Sequence, residues 1–82
     1  EGIGMKLEVI VTLRPSLNDA QGDVVRKALH NLGYQEVEQV RIGKFIELEI
    51  AGDDRAAIEQ RVREMAERLL SNPIIEDFRL RS

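Results

Sequence analysis

The 82-residue chain has no cysteine and no tryptophan, one histidine, one tyrosine and two phenylalanines. Without cysteine there is no disulfide framework, no thiol nucleophile and no zinc finger, and a single histidine excludes any site built from several imidazoles. Three aromatic residues, Tyr34, Phe45 and Phe78, are too few for a base-stacking platform of the RNA-recognition type. Excess positive charge is lacking too. Twelve Lys and Arg against 15 Asp and Glu leave a formal net charge of −3, so no global field draws in a phosphate backbone and nucleic acid is not an expected partner. No apolar run approaches the roughly 20 residues of a membrane span, and nothing in the sequence directs the protein out of the cytoplasm. Low-complexity tracts, repeats and internal linkers are absent as well.

What remains is an ordinary globular composition, 43% hydrophobic and 33% charged, at a length that suits one domain with a small core. Glu1-Gly2-Ile3-Gly4 reads as a remnant ahead of a natural start at Met5, which places a single domain over 5–82. From Lys6 to Leu13 the residues Leu7, Val9, Val11 and Leu13 alternate with Glu8, Ile10 and Thr12, a period of two that predicts a strand with one face in the core. Pro15 ends it. Asp19 is placed to cap a helix whose apolar stripe is Val24, Val25, Ala28, Leu29 and Leu32, with Gly33 where a left-handed cap is wanted.

Val37–Ile42 and Phe45–Ile50 are two further β-rich runs separated only by Gly43-Lys44, a spacing that predicts a tight antiparallel hairpin. The first run breaks phase between Val37 and Val40, which a bulge near Glu38 would reconcile. Asp53 or Asp54 caps a second helix with a buried stripe of Ile58, Val62, Met65, Ala66 and Leu69, and with Glu59–Arg63 and Glu64–Arg68 spaced as ion pairs on the wet side. Asn72-Pro73 ends it, and Ile75–Arg81 reads as a last strand with Phe78 and Leu80 inward. The order β-α-β-β-α-β predicts an α+β, ferredoxin-like sandwich, two helices on one face of a four-stranded antiparallel sheet.

No catalytic constellation emerges. Arg41-Ile42-Gly43-Lys44 ends like a phosphate loop, but position 38 is Glu, position 45 is Phe and the turn joins two strands rather than a strand and a helix. His30 has no second ligand at metal-binding spacing, and one of the adjacent carboxylates Asp53 and Asp54 is already explained as a cap. Ser16, Ser71 and Ser82 have no histidine near them in sequence. The exposed sheet face holds Ile10 and Phe45 among Glu8, Arg14, Arg41, Glu47, Glu49, Asp77, Arg79 and Arg81. An apolar centre inside a mixed-charge rim is the composition of a protein interface. The candidate subunit contacts are therefore Ile10, Arg14, Arg41, Lys44 and Phe45, the two basic residues Arg41 and Lys44 standing at the tip of the expected hairpin.

Leu13-Arg14-Pro15, Asp19-Ala20-Gln21-Gly22, Ala28-Leu29-His30-Asn31-Leu32-Gly33-Tyr34 and Val40-Arg41-Ile42-Gly43-Lys44-Phe45-Ile46-Glu47-Leu48 together resemble the PurS family, the small subunit of phosphoribosylformylglycinamidine synthase. The likeness runs from about Met5 to the C-terminus. Ala20 stands where the family usually has Pro, which removes a rigid first helical residue and touches no functional one. The resemblance implies a subunit of a ligase in the fourth step of purine biosynthesis, with no catalytic residue, cofactor or metal of its own. ATP and Mg are used by the assembled complex, which converts formylglycinamide ribonucleotide into its amidine with ammonia from glutamine. The implied partners are a second copy, as dimer or tetramer, and the synthetase and glutaminase subunits that the small subunit bridges. Strand residues of the exposed face are expected to join two copies, and the basic tip to touch a larger subunit. Two other readings of the scaffold stand beside this one. A free-standing small-molecule sensor would place its pocket at a dimer interface. An acylphosphatase would need a glycine-rich anion loop after the first strand, where this chain has Arg14-Pro15-Ser16-Leu17.

Overall fold

The computed structural model describes residues 4–81. Residues 1–3, most of the expected remnant, and Ser82 lie outside the described residues, while Gly4 opens the first strand and pairs with Ala51. The elements are β1 (Gly4–Leu13), α1 (Ala20–Asn31), β2 (Gly43–Ala51), α2 (Arg55–Met65), whose last turn widens into a π-helical turn over Ala66–Leu70, and β3 (Glu76–Arg81). β1 is central in a sheet ordered β2-β1-β3, with both pairings antiparallel.

The period of two in β1 does what the pattern predicts. Leu7, Val9 and Val11 are almost completely buried and meet Ile58, Val62 and Ala66 on α2. Met5, Ile46, Leu48, Ile50, Met65, Leu70, Phe78 and Leu80 flank that cluster half-buried. Each fully buried Leu or Val is worth about 1.5–3 kcal/mol relative to exposure, so these few side chains carry most of the sheet's stability. One helix thus covers the middle of the sheet's core face and leaves its flanks partly open.

Local chemistry sets the helix ends. The Asp19 side chain accepts from the Gly22 N–H at 2.8 Å, which caps α1, and Asp54 caps α2 through the Ala57 N–H at 3.2 Å. At the other end of α1, Gly33 takes φ +106°, its N–H bonds to the His30 carbonyl, and the Tyr34 N–H bonds to the Leu29 carbonyl. These two bonds form a Schellman cap, which needs a residue that tolerates positive φ.

The structure departs from expectation in its strand count, in α1, which does not lie on the sheet beside α2, and in two details of α2. Among the described residues there are three strands where four were expected. Residues 37–42 form no regular element and pair with no strand, and no hairpin turns at Gly43-Lys44. They lie along α1 instead: the Ile42 N–H donates to Asp19 Oδ2 at 2.7 Å, and His30 Nε2 is 2.8 Å from the Val37 carbonyl oxygen. A Cβ on Gly22 would collide with the Val40 carbonyl, so only glycine permits this approach. The phase break between Val37 and Val40 fits a stretch held by polar bonds to a helix rather than by a ladder with two distinct faces.

Along α2, Leu69 is 83% exposed and Leu70 takes its place inside. The π-helical turn bonds the Ser71 N–H back to the Ala66 carbonyl at 2.9 Å, which adds a residue to the turn and rotates the stripe by one position. The ion pairs on α2 are Arg55–Glu59 at 3.4 Å and Arg61–Glu64 at 3.9 Å, not the expected Glu59–Arg63 and Glu64–Arg68. Arg55 competes for Glu59 from one turn earlier, and pairs this exposed contribute little either way.

The unmade hairpin shapes the whole molecule. Residues 14–42 project from the end of the sheet as an arm, α1 makes only marginal contact with the sheet, and the molecule measures 50 × 29 × 15 Å. Its radius of gyration is 16.6 Å, against about 12 Å for a compact chain of this length.

Candidate functional site

The two apolar candidates come together as expected. The register sets Ile10 opposite Phe45 on β2 and opposite Arg79 on β3. Ile10 is half-buried and Phe45 is 54% exposed, so together they form a small apolar centre on the face of the sheet away from α2. Around them the pairing brings Glu8 against Glu47 and against Arg81, Lys6 against Glu49, and Thr12 against Asp77. Arg81 Nε donates to Glu8 Oε1 at 2.8 Å, which offsets the repulsion between Glu8 and Glu47 facing each other across the strands.

The three basic candidates do not share that face. Arg41 turns back on the chain, its guanidinium donating to the Leu17 carbonyl at 2.9 Å and to the Arg14 carbonyl at 3.0 Å. Arg14 in turn donates to the Pro73 carbonyl and lies 3.8 Å from Asp77. Both arginines therefore satisfy carbonyl oxygens where the arm leaves the sheet. The Arg14–Leu17 turn points its carbonyls at a cation, the reverse of the inward N–H groups that an anion loop requires. Lys44 pairs with Val11 and so sits on the core-face side of the sheet. There it lines a cleft of about 240 Å³ with Leu13, Asp19, Gln21, Ile42 and Glu76.

Asp19 is buried at the base of the arm. Its carboxyl is held below the ordinary aspartate range, chiefly by the Ile42 N–H, then by the Gly22 N–H, with the Arg41 charge helping. Sequence reasoning took Asp19 only as a cap; its second oxygen also ties the returning chain to α1. The Asp23 carboxyl is lowered as well, by hydrogen bonds from Arg26 and Lys27, an interaction within α1.

A larger surface was missed. Val24 is 66% exposed, Val25 37% and Leu32 73%, so the stripe expected to bury α1 against its own sheet has no cover in this chain. Helical periodicity reports that a face is to be buried and is silent on which molecule buries it. Among the described residues, no group of three metal-ligating side chains comes together and no helix is long and apolar enough to cross a membrane.

The sequence model of the PurS family, phosphoribosylformylglycinamidine synthase, matches residues 6–82. The chain belongs to the PurS family. The PurS subunit of Bacillus subtilis (strain 168) is 49% identical over 74 residues, which covers 90% of this chain and 87% of the relative. The subunit from Synechocystis is 46% identical over 70 residues, 85% of this chain and 70% of that one. Among solved structures, a crystal form of B. subtilis PurS superposes with a TM-score of 0.85 at 46% identity, covering 96% of both chains. A chain of the PurLQS structure from Thermotoga maritima superposes with a TM-score of 0.89 at 26% identity, again over 96% of each. The α+β architecture with two helices and a three-stranded antiparallel sheet is thus that of PurS, a subunit of a ligase.

Proposed function

We propose that this PurS chain is the non-catalytic adaptor of phosphoribosylformylglycinamidine synthase, associating with itself and bridging the synthetase and glutaminase subunits so that ammonia passes between their sites. The observation that carries the reading is the superposition over 96% of both chains with a chain of the T. maritima PurLQS structure. The character of the surface supports it. What the described residues offer is contact area: an apolar pair inside a charged rim, a bare strand edge and an uncovered helix face. ATP and magnesium belong in this reading to the larger subunits, and no residue of this chain is assigned to either.

The outer sheet face, centred on Ile10 and Phe45, and the basic residues Arg14, Arg41 and Lys44 are the proposed contacts with other subunits. Lys44 is the freest of the three cations, since Arg14 and Arg41 are committed to backbone carbonyls. An Arg41→Glu, Lys44→Glu double variant with an intact circular dichroism spectrum is expected to bind the larger subunits less tightly; unchanged affinity removes these residues from the contact. The reading as a whole is tested by glutamine-dependent amidination in a mixture of synthetase and glutaminase subunits. Activity should appear only when this chain is added, and equal activity without it would overturn the adaptor role.

A further inference from the structure

The direction in which the arm leaves the sheet has to be fixed at its base. α1 makes only marginal contact with the sheet, and on the core-face side the base borders an open cleft of about 240 Å³, with Asp19 and Gln21 of the arm and Val11 and Leu13 of the sheet among its walls. Apolar packing therefore does not set the angle there. The chain crosses this base twice, outward after Leu13 and back through Arg41 and Ile42, and hydrogen bonds have to hold the two crossings.

Two arginines supply most of them. The Arg14 N–H donates to the Ile75 carbonyl at 2.9 Å, one step beyond the last β1–β3 pair, Leu13 with Glu76. The Arg14 guanidinium donates to the Pro73 carbonyl and faces Asp77 across 3.8 Å. The outgoing chain then turns, with the Leu17 N–H bonded to the Arg14 carbonyl at 2.9 Å. Arg41, on the returning chain, grips both ends of that turn, one nitrogen donating to the Leu17 carbonyl at 2.9 Å and another to the Arg14 carbonyl at 3.0 Å. Its neighbour Ile42 donates its N–H to Asp19 at 2.7 Å. The guanidinium bonds reach partners 24, 27 and 59 positions away in the chain, so they cross-link separate segments rather than shape a local turn.

We propose that Arg41 is a positioning residue, the clasp that locks the outgoing and returning chain together, and that Arg14 anchors this clasp to the loop before β3, so that the arm is held at one angle to the sheet. A guanidinium suits the task. Its donors form a planar fork of fixed geometry that reaches two carbonyls at once, which the single ammonium of a lysine does not do in one orientation. Bonds from a charged donor to a carbonyl are also stronger than neutral ones. The clasp is a property of the chain itself, whatever else these two side chains touch.

The test compares the full chain with Arg41→Gln and Arg41→Lys by residual dipolar couplings of the backbone N–H groups, which report the orientation of α1 against β1. In the unchanged chain one alignment tensor should fit both elements. Either substitution should break that common fit and speed amide exchange at Leu17 and Ile42 roughly three- to tenfold, the worth of an ordinary hydrogen bond, while the amides of β1 keep their protection. Arg41→Lys isolates the geometry, since the charge is kept and only the fork is lost. Arg14→Gln should also break the common fit but leave exchange at Leu17 unchanged, because the Arg14 carbonyl that Arg41 grips is still there. Neither arginine belongs to the buried cluster around Val9 and Val62, so the variants are expected to keep the sheet. A common fit that survives both Arg41 substitutions overturns the clasp, and so do separate tensors already in the unchanged chain. Protection lost equally in β1 and at Ile42 overturns it too, since Arg41 would then support the fold at large rather than position the arm. Each of these results leaves the adaptor reading standing, which the amidination assay decides on its own.

Discussion

The two ends of this molecule are built on different terms. At one end, β1 is paired on both edges and its inward side chains are sealed by α2. At the other, α1 and residues 37–42 are held by a few polar bonds and one glycine contact while Val24, Val25, Leu32 and Ile42 are exposed. The first end is stabilised by its own packing. The arm's internal bonds fix its shape but bury little, so its stability has to come from whatever covers it. Packing of its own thus stabilises one stretch of this short chain, while the other leaves Val24 and Leu32 largely exposed.

Substitutions should divide along the same line. The largest effect is expected from Leu7→Ala, which leaves a cavity at the centre of the sealed end and should cost about 2–5 kcal/mol in urea unfolding, abolishing fold and association together. Gly22→Ala strikes the arm. With no space for a Cβ beside Val40, it should cost about 1–3 kcal/mol of the arm's attachment, seen as faster amide exchange at Ile42 while the protection of β1 is kept. Equal loss at both ends would break the comparison.

Acid should act on the arm before the sheet. The folded-state value of Asp19 lies below its ordinary one, so its contribution is complete above about pH 4 and is lost as the pH falls through the folded value. Asp19→Asn should remove that part of the pH dependence of stability measured between pH 6 and 3, leaving the share of Asp23, which has the same sign. At the bottom of the scale, Glu59→Gln breaks an exposed pair with Arg55 and should change stability by less than about 0.5 kcal/mol.

The sealed end was almost wholly legible in the sequence. The alternation of Leu7, Val9 and Val11 and a cap at Asp53 or Asp54, which proves to be Asp54, are local patterns with local causes, and so, within the arm, are the cap at Asp19 and the stop at Gly33 that bound α1. The rotation of Leu69 outward was not legible, because the π-helical turn that causes it has no residue signature in this chain. Nor was the arm. A β-rich run, two turn residues and another run describe a closed hairpin and an open one equally well, and the stripe on α1 is the same whichever sheet receives it. Of the candidate contacts, strand periodicity put Ile10 and Phe45 on one face, while the register that sets them opposite each other came only with the fold. The roles of Arg14 and Arg41 depended on carbonyl oxygens that only the folded chain brings near.

The division into a self-sufficient end and a dependent arm is tested most directly by hydrogen exchange followed amide by amide at several protein concentrations. The account predicts two classes. Amides of β1 should exchange only through global unfolding of the sheet, and those of α1 and Ile42 should exchange far faster at low concentration and slow markedly as the concentration rises. Uniform protection across both ends, unchanged by dilution, would contradict it.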